Sequence, residues 1–135
     1  MGSSCLPPNV GKLPRVSDRL IPMSDCLFCK IVAGDIPAII VYETDQAVAF
    51  HDIDPKAPTH ILVIPKSHYD NVTEMTRSDV GLAGHLLDVV TQVVAQETLI
   101  HGYRLVANTG PDGGQTVDHV HFHILGGREL TWPPG

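Results

Sequence analysis

Three of the eight histidines in this 135-residue chain occupy alternate positions of one short segment, HVHFHILGG, at residues 119–127. Successive side chains of a β-strand point to opposite faces, so His119, His121 and His123 are predicted to share one face. Neighbouring histidines on that face would lie roughly 6–7 Å apart. The opposite face of the predicted strand is apolar and consists of Val120, Phe122 and Ile124.

A row of close imidazoles can support two kinds of chemistry. Each protonated ring disfavours protonation of the next, so the row can hold a neutral nucleophile beside a protonated donor near neutral pH. That combination suits phosphoryl transfer, with one ring attacking phosphorus and another assisting the leaving group. Two alternating histidines and a third nearby can equally form an open zinc site. The alternation alone leaves both readings open.

The residues before this segment favour phosphate. The stretch TGPDGGQTV runs directly into it. Gly113 and Gly114 allow the backbone to approach an anion closely and to turn N–H groups toward it. Gln115 and Thr116 add side-chain donors that a metal site would not need.

The remaining pattern predicts an α+β domain with a mainly antiparallel sheet, one short helix and one long helix. The long helix is expected to begin at the N-cap Ser78. The predicted elements, in chain order, are a short helix from about residue 25 to Ala33–Gly34, strands at 39–44, 47–53 and 60–67, a helix at 78–99, and strands at 103–110 and 119–125.

Composition narrows the class of protein. A net charge of −6 disfavours nucleic-acid partners, and no apolar run reaches the length of a membrane span. Three cysteines, an odd number, indicate a reducing and therefore cytoplasmic location rather than a disulfide framework. Proline-interrupted residues 1–24 are predicted to be a flexible extension, a targeting segment or a cloning remnant, and residues 25–135 to be one domain.

Several separated motifs resemble the Hint-type branch of the histidine triad (HIT) superfamily. They are AFHDIDPKAPTHILVIPK at 49–66 and GYRLVANTGPDGGQTVDHVHFHILGGRELTWPPG at 102–135. The resemblance covers about residues 25–135. It implies a homodimer that binds purine nucleoside monophosphates and hydrolyses their phosphoramidates, typically adenosine 5′-phosphoramidate, and also aminoacyl adenylates.

The resemblance also implies a role for each motif residue. His121 would be the nucleophile that forms a nucleotidyl-histidine intermediate, and His123 would contact the phosphate and assist the leaving group. His60 would complete the cluster, which includes His119, and would orient His121. The implied nucleotide-binding residues are Asn108, Gly114, Gln115 and Thr116 for the phosphate, Asp52 for the ribose, and Phe28, Ile31, Phe50 and Ile53 for the base.

The sequence CLFC places Cys26 and Cys29 at a spacing that suits zinc, although this pair alone is a weak signal. Some bacterial histidine triad proteins carry the same pair in a structural zinc site. The resemblance supplies His68 and His119 as the other two ligands. Free thiols packed as small apolar groups, or a redox-active pair, are the alternatives. No organic cofactor is expected.

Two positions depart from the branch. Thr116 stands where serine is usual, which keeps the hydroxyl and adds a methyl group to the leaving-group region. Asp118 stands where an aromatic residue is common, and we expect it at the surface. The alternative functions are hydrolysis of dinucleoside polyphosphates, a nucleotide-binding regulatory or scaffold role, and a zinc hydrolase that uses the triad itself.

Overall fold

The computed structural model describes residues 25–135, so the predicted extension at 1–24 lies outside the described residues. The elements are α1 (Leu27–Ala33), β1 (Ile40–Glu43), β2 (Ala47–His51), β3 (Thr59–Pro65), α2 (Val72–Ser78), α3 (Val80–Gln96), β4 (Tyr103–Val106) and β5 (Phe122–Gly126). This composition confirms the predicted α+β class. Among the described residues, no helix is long and apolar enough to cross a membrane.

The five strands form one sheet in the order β1-β2-β3-β5-β4, and every neighbouring pair is antiparallel. The C-terminal strand β5 therefore lies between β3 and β4. Its register pairs His123 with Leu62 and Leu125 with His60. The side chains of His60 and His123 are consequently diagonal neighbours on one face.

Each face of the sheet supports its own core, because side chains alternate along the strands. Ile61 and Val63 of β3 face α3, in the cluster that also holds Leu86 and Val90 of that helix. The opposite face carries a smaller cluster with α1, built from Phe28, Val48, Phe50, Leu62 and Ile64. The histidines of β3 and β5 lie on this second face, so α1 borders the candidate site.

The helices differ from the prediction in two places and agree with it in a third. A second short helix, α2, precedes α3, so the domain has two short helices and one long helix. Ser78 ends α2, and the N-cap of α3 is Asp79, whose Oδ1 accepts from the Leu82 amide at 3.0 Å. Gly34 ends α1 in a left-handed conformation (φ 84°), as predicted.

The histidine segment is only partly a regular strand. β5 begins at Phe122, so His119 and His121 precede it and only His123 lies within it. The predicted alternation nevertheless holds, since Val120 and Phe122 belong to the α3-side core. β4 ends at Val106, four residues before the predicted end, and the chain from there to β5 is irregular apart from turns.

Candidate functional site

Three histidines meet on the α1 side of the sheet. The ring centroids of His121 and His123 are 5.0 Å apart, and those of His60 and His123 are 5.2 Å apart. His60 and His121 are buried, at 6% and 5% exposure, and His123 is half-buried. We call His60, His121 and His123 the catalytic cluster, after the role that the family resemblance implies for them.

One hydrogen bond settles the tautomer of His121. Its Nδ1 lies 2.8 Å from the carbonyl oxygen of His119, which can only accept, so Nδ1 must donate. The lone pair of the neutral ring is therefore on Nε2. An imidazole with Nδ1–H held and Nε2 unprotonated is the form that a nucleophilic histidine requires.

A second set of bonds fixes His60 and His123. The Lys56 amide donates to Nδ1 of His60 at 3.0 Å, so the neutral His60 ring carries its hydrogen on Nε2. That Nε2 lies 2.9 Å from Nδ1 of His123 and donates to it. The hydrogen of neutral His123 is thereby placed on Nε2. We expected His60 to orient His121, but its hydrogen bond is to His123, and the hydrogen bond of His121 is to the His119 carbonyl.

Burial lowers the pKa of all three rings of the catalytic cluster. It is the main cause for His60 and His121, and the nearby Asp52 carboxylate opposes it in both. Burial, followed by repulsion from His121 and His60, lowers the pKa of His123 to about 4. At neutral pH and without a bound anion the cluster is therefore neutral.

The glycine-rich turn before the triad has a defined shape. Gly110 and Gly114 have positive φ angles of 73° and 81°. A Cβ on Gly113 would lie 2.5 Å from the carbonyl oxygen of Thr109, so no side chain fits there. The Gln115 amide N–H donates to the Gly110 carbonyl at 3.1 Å and closes the turn. We call residues 110–114 the anion turn.

The predicted phosphate donors differ in their availability. Within residues 25–135 the structure contains no hydrogen bond from the side chains of Asn108 and Thr116, so both can donate to a ligand. The side-chain N–H groups of Gln115 donate instead to the Asp70 carbonyl at 2.6 Å and the Val117 carbonyl at 3.0 Å. These bonds use both amide hydrogens and therefore disfavour the prediction that Gln115 holds a phosphate oxygen.

The predicted ribose residue, Asp52, has one oxygen in use and a second near a ring. Its Oδ1 accepts from the Asp54 amide at 2.8 Å, and its Oδ2 lies 3.4 Å from Nε2 of His60. Asp52 thus lies beside the catalytic cluster and also stabilises the turn that leads to Asp54.

The predicted base-pocket residues have unequal exposure. Phe28 and Phe50 are each 4% exposed and lie edge-to-face at 5.7 Å, so both are core residues as well as site neighbours. Phe28 also meets the His121 ring at 5.1 Å. Ile31 is half-buried and Ile53 is 99% exposed, which gives these two most of the apolar surface that a base could cover.

Four side chains converge at the N-terminus of α1: Cys26, Cys29, His68 and His119. Nδ1 of His119 lies 3.3 Å from Sγ of Cys26 and 3.1 Å from Nδ1 of His68. Sγ of Cys29 lies 3.3 Å from Nδ1 of His68 and 3.5 Å from Nδ1 of His119. A tetrahedral zinc ion with two sulfur and two nitrogen ligands gives ligand separations of roughly 3.3–3.8 Å. We call these four residues the metal cluster.

In both histidine rings of the metal cluster, the outer nitrogen, Nε2, already makes a hydrogen bond. Nε2 of His119 donates to the Pro65 carbonyl at 2.9 Å, and Nε2 of His68 donates to the Asp70 carboxylate at 3.2 Å. In the neutral rings both Nδ1 lone pairs therefore point toward each other, and a metal ion between them would relieve the contact. A hydrogen bond from Cys29 is the main cause that lowers the pKa of Cys26 to about 2.

A proton can relieve the same contact. Burial lowers the pKa of His68, but the Cys26 thiolate and the Asp70 carboxylate outweigh it and raise that pKa overall. The donor set of two thiols and two imidazoles is the set that zinc prefers in closed sites, so the residues fit the metal.

Sequence reasoning missed three partners in these clusters. They are the Lys56 amide, the Pro65 carbonyl and the Asp70 carboxylate. The first two are backbone groups, which any residue type supplies. Asp70 could have been found from the sequence, because it follows the candidate metal ligand His68 by two residues and carboxylates often bond to the outer nitrogen of such a ligand. As expected, Asp118 is exposed.

The chain is similar in sequence and structure to proteins of one family. The HIT domain family matches residues 33–130. An uncharacterized HIT-like protein of Synechococcus elongatus is 57% identical over 111 residues, covering 82% of this chain and 97% of that protein. A 14 kDa zinc-binding protein of Zea mays is 46% identical over 120 residues, 87% of this chain and 93% of that protein. A HIT family hydrolase from Legionella pneumophila Philadelphia 1 has a crystal structure that superposes with a TM-score of 0.79 at 48% identity, covering 82% of this chain and 99% of that one.

Proposed function

This chain belongs to the HIT domain family, and from that premise we propose that it hydrolyses purine nucleoside phosphoramidates. Adenosine 5′-phosphoramidate is the simplest such substrate, and aminoacyl adenylates would react by the same route. The observation that carries the proposal is the fixed tautomer of His121, with Nδ1–H held by the His119 carbonyl and Nε2 free to attack. The name of the Legionella relative, a hydrolase, agrees with it.

The reaction would proceed in two displacements. Nε2 of His121 attacks phosphorus, the P–N bond breaks, and the leaving nitrogen departs as ammonia after accepting a proton. The product of this step is a nucleotidyl-histidine. Water then attacks the same phosphorus and gives a proton to His123, the bond to Nε2 breaks, and the nucleoside monophosphate leaves with His121 restored to its neutral form.

His123 would supply the proton for the leaving nitrogen. Its pKa of about 4 leaves it neutral in the free protein, and neutral imidazole is a poor acid. A bound phosphate brings negative charge beside the ring and favours the protonated form. The substrate itself would therefore create the acid. In the protonated ring Nδ1 also carries a hydrogen, so the Nε2–H of His60 would donate to Oδ2 of Asp52, 3.4 Å away, in place of Nδ1 of His123.

The nucleotide would lie between the catalytic cluster and the loops around it. The backbone N–H groups of Asp112 and Gly113 and the side chains of Asn108 and Thr116 would bind the phosphate oxygens. The N–H of Gly114, the other predicted phosphate residue, donates to the Pro111 carbonyl at 3.1 Å. The free oxygen of Asp52 would accept from a ribose hydroxyl. The purine would cover Ile31 and Ile53 and meet the edges of Phe28 and Phe50.

We further propose that the metal cluster holds a structural zinc ion. The converging Nδ1 lone pairs and the Cys26 thiolate support it, as does the name of the Zea mays relative. All four positions would be filled by protein ligands, so the metal would provide rigidity and no open site for substrate.

We also expect a homodimer. Strand β4 is an edge of the sheet, and Tyr103 and Leu105 on it are 45% and 36% exposed. An apolar edge strand is a suitable surface for a second copy. Light scattering should report twice the chain mass, and a monomer at micromolar concentration would remove this part of the proposal.

One assay tests the function. Adenosine 5′-phosphoramidate and diadenosine tetraphosphate are offered to the wild type, to His121→Ala and to His101→Ala, whose exposed histidine lies in a loop away from the cluster. We expect AMP mainly from the first substrate, no change in His101→Ala, and a loss of about 10⁴-fold or more in His121→Ala. Preference for diadenosine tetraphosphate would favour a dinucleoside polyphosphate hydrolase. Binding of AMP without turnover of either substrate would favour a regulatory role.

A further inference from the structure

The side chain of Gln115 makes three hydrogen bonds inside the protein. Its Oε1 accepts from the Gly110 amide at 3.0 Å, and its Nε2 donates to the carbonyls of Asp70 and Val117. The orientation of the amide group is unambiguous, because a flipped side chain would place Oε1 against two carbonyl oxygens. Both N–H donors of the amide are therefore used within the fold.

These bonds connect two parts of the candidate site. At one end, Gly110 and Gln115 bond in both directions, since the Gln115 backbone N–H also donates to the Gly110 carbonyl. This pair closes the anion turn. At the other end, Asp70 accepts from Gln115 through its carbonyl and from His68 through its carboxylate. Gln115 thus joins the anion turn to the segment that carries a ligand of the metal cluster.

The anion turn depends on such support because it has little of its own. Gly110 and Gly114 have positive φ angles, and glycine loses more conformational freedom on ordering than any other residue. Residues 111–114 are exposed, so they receive no packing from the core. The bond to the Gly110 amide also uses that N–H, which consequently does not face a ligand.

We infer that Gln115 is a positioning residue that shapes the anion turn before any ligand arrives and does not bind the phosphate. The identity of the anion rests on the proposed function, whereas the shaping of the turn does not. With the turn preformed, the backbone N–H groups of Asp112 and Gly113 meet a phosphate without an ordering cost, since Pro111 has no N–H and the Gly114 N–H donates to the Pro111 carbonyl. Without Gln115 the same groups must be ordered during binding.

Amide hydrogen exchange in the nucleotide-free protein tests this role directly. In Gln115→Ala and in Gln115→Met, which keeps the side-chain length, exchange at the Gly110 amide should become about tenfold faster, as expected for loss of one bond of about 1.4 kcal/mol. The matched control is Gln92→Ala, an exposed glutamine of α3, which should leave Gly110 unchanged. Unchanged exchange at Gly110 in both Gln115 variants would overturn the inference.

A second measurement separates positioning from direct contact. In a crystal structure with AMP bound, Nε2 of Gln115 should keep the Asp70 and Val117 carbonyls as partners, and a phosphate oxygen within hydrogen-bond distance of Nε2 would overturn the inference. For adenosine 5′-phosphoramidate, KM should rise about tenfold in Gln115→Ala with a smaller change in kcat. Faster exchange in a protein that hydrolyses no phosphoramidate would leave the inference standing and refute the proposed function. Hydrolysis with unchanged exchange would do the reverse.

Discussion

The catalytic cluster and the metal cluster are both built from histidine, yet their rings are arranged in opposite ways. In the catalytic cluster donors and acceptors alternate, from the Lys56 amide through His60 to His123. In the metal cluster the inner nitrogens of His68 and His119 are both lone pairs directed at one point. The first arrangement places protons, and the second suits a metal ion. The difference lies in the outer partner of each ring, not in the residue type.

The largest expected effect comes from the metal cluster. Cys26→Ser should lose the metal and become less stable by about 4 kcal/mol, the contribution of a metal present at a thousand times its Kd. Thermal unfolding with and without a chelator, together with metal content per chain, measures both. His123→Ala should keep its metal and its response to the chelator. If His123→Ala lost the metal, the two clusters would not be separable.

The next effect concerns the amide that sets the tautomers of the catalytic cluster. Lys56→Pro removes the N–H that donates to His60, and we expect kcat to fall about 10–100-fold as His123 loses its fixed proton. Lys56→Ala keeps the N–H and loses only an exposed ion pair with Asp54, so it should remain active. Ring-nitrogen chemical shifts of His60 report the tautomer independently. Equal behaviour of the two variants would show that the amide does not set it.

A smaller effect separates the clusters by their response to ligand. In the free protein His123 should titrate near pH 4, so it is neutral at pH 7 and gains a proton only as the pH falls toward 4. AMP should raise this pKa by about one unit or more, equivalent to about 1.4 kcal/mol, because the phosphate favours the charged ring. NMR titration of the His123 ring measures it. A pKa unchanged by AMP would argue against its role as the acid.

The smallest effect concerns a polar group that neither cluster uses. The Oγ1 atom of Thr109 is buried and has no hydrogen-bond partner. It is the one buried side-chain oxygen or nitrogen atom in this position among the described residues. Thr109→Val should therefore stabilise the protein by about 1 kcal/mol in urea unfolding. Thr91→Val should bring no gain, because the exposed Thr91 hydroxyl already donates to the Leu87 carbonyl. Destabilisation by Thr109→Val would mean that this hydroxyl has a partner in solution.

The sequence predicted the parts of the site that depend on residue type and spacing. The alternation of side chains along an extended segment predicted that His121 and His123 share one face. This is confirmed, although His121 precedes the first residue of β5. The C-x-x-C pair and the two histidines implied by the family resemblance do converge. Helix α2 escaped prediction because its seven residues, VTEMTRS, are too few to show a helical period.

The sequence could not predict which neighbour each side chain would choose. Gln115 looked like a phosphate donor, and only the folded chain shows two carbonyls taking both of its N–H groups. His60 was assigned to His121, whereas the antiparallel register of β3 and β5 brings it to His123. Every residue has a backbone carbonyl, and every residue except proline has an amide N–H. The sequence therefore does not show which of these groups bonds to a given histidine ring, and only the tertiary structure does.

His119 belongs to both clusters through different atoms. Its ring contributes Nδ1 to the metal cluster, while its carbonyl holds Nδ1 of His121. Only a few rotatable bonds within one residue separate the ring from the carbonyl. A displacement of the ring would therefore also shift the carbonyl that holds His121. A zinc ion in the metal cluster would therefore help to fix the position of Nε2 of His121, the proposed nucleophile. An ion of different radius in the metal cluster would change the orientation of the His121 ring without contacting a substrate.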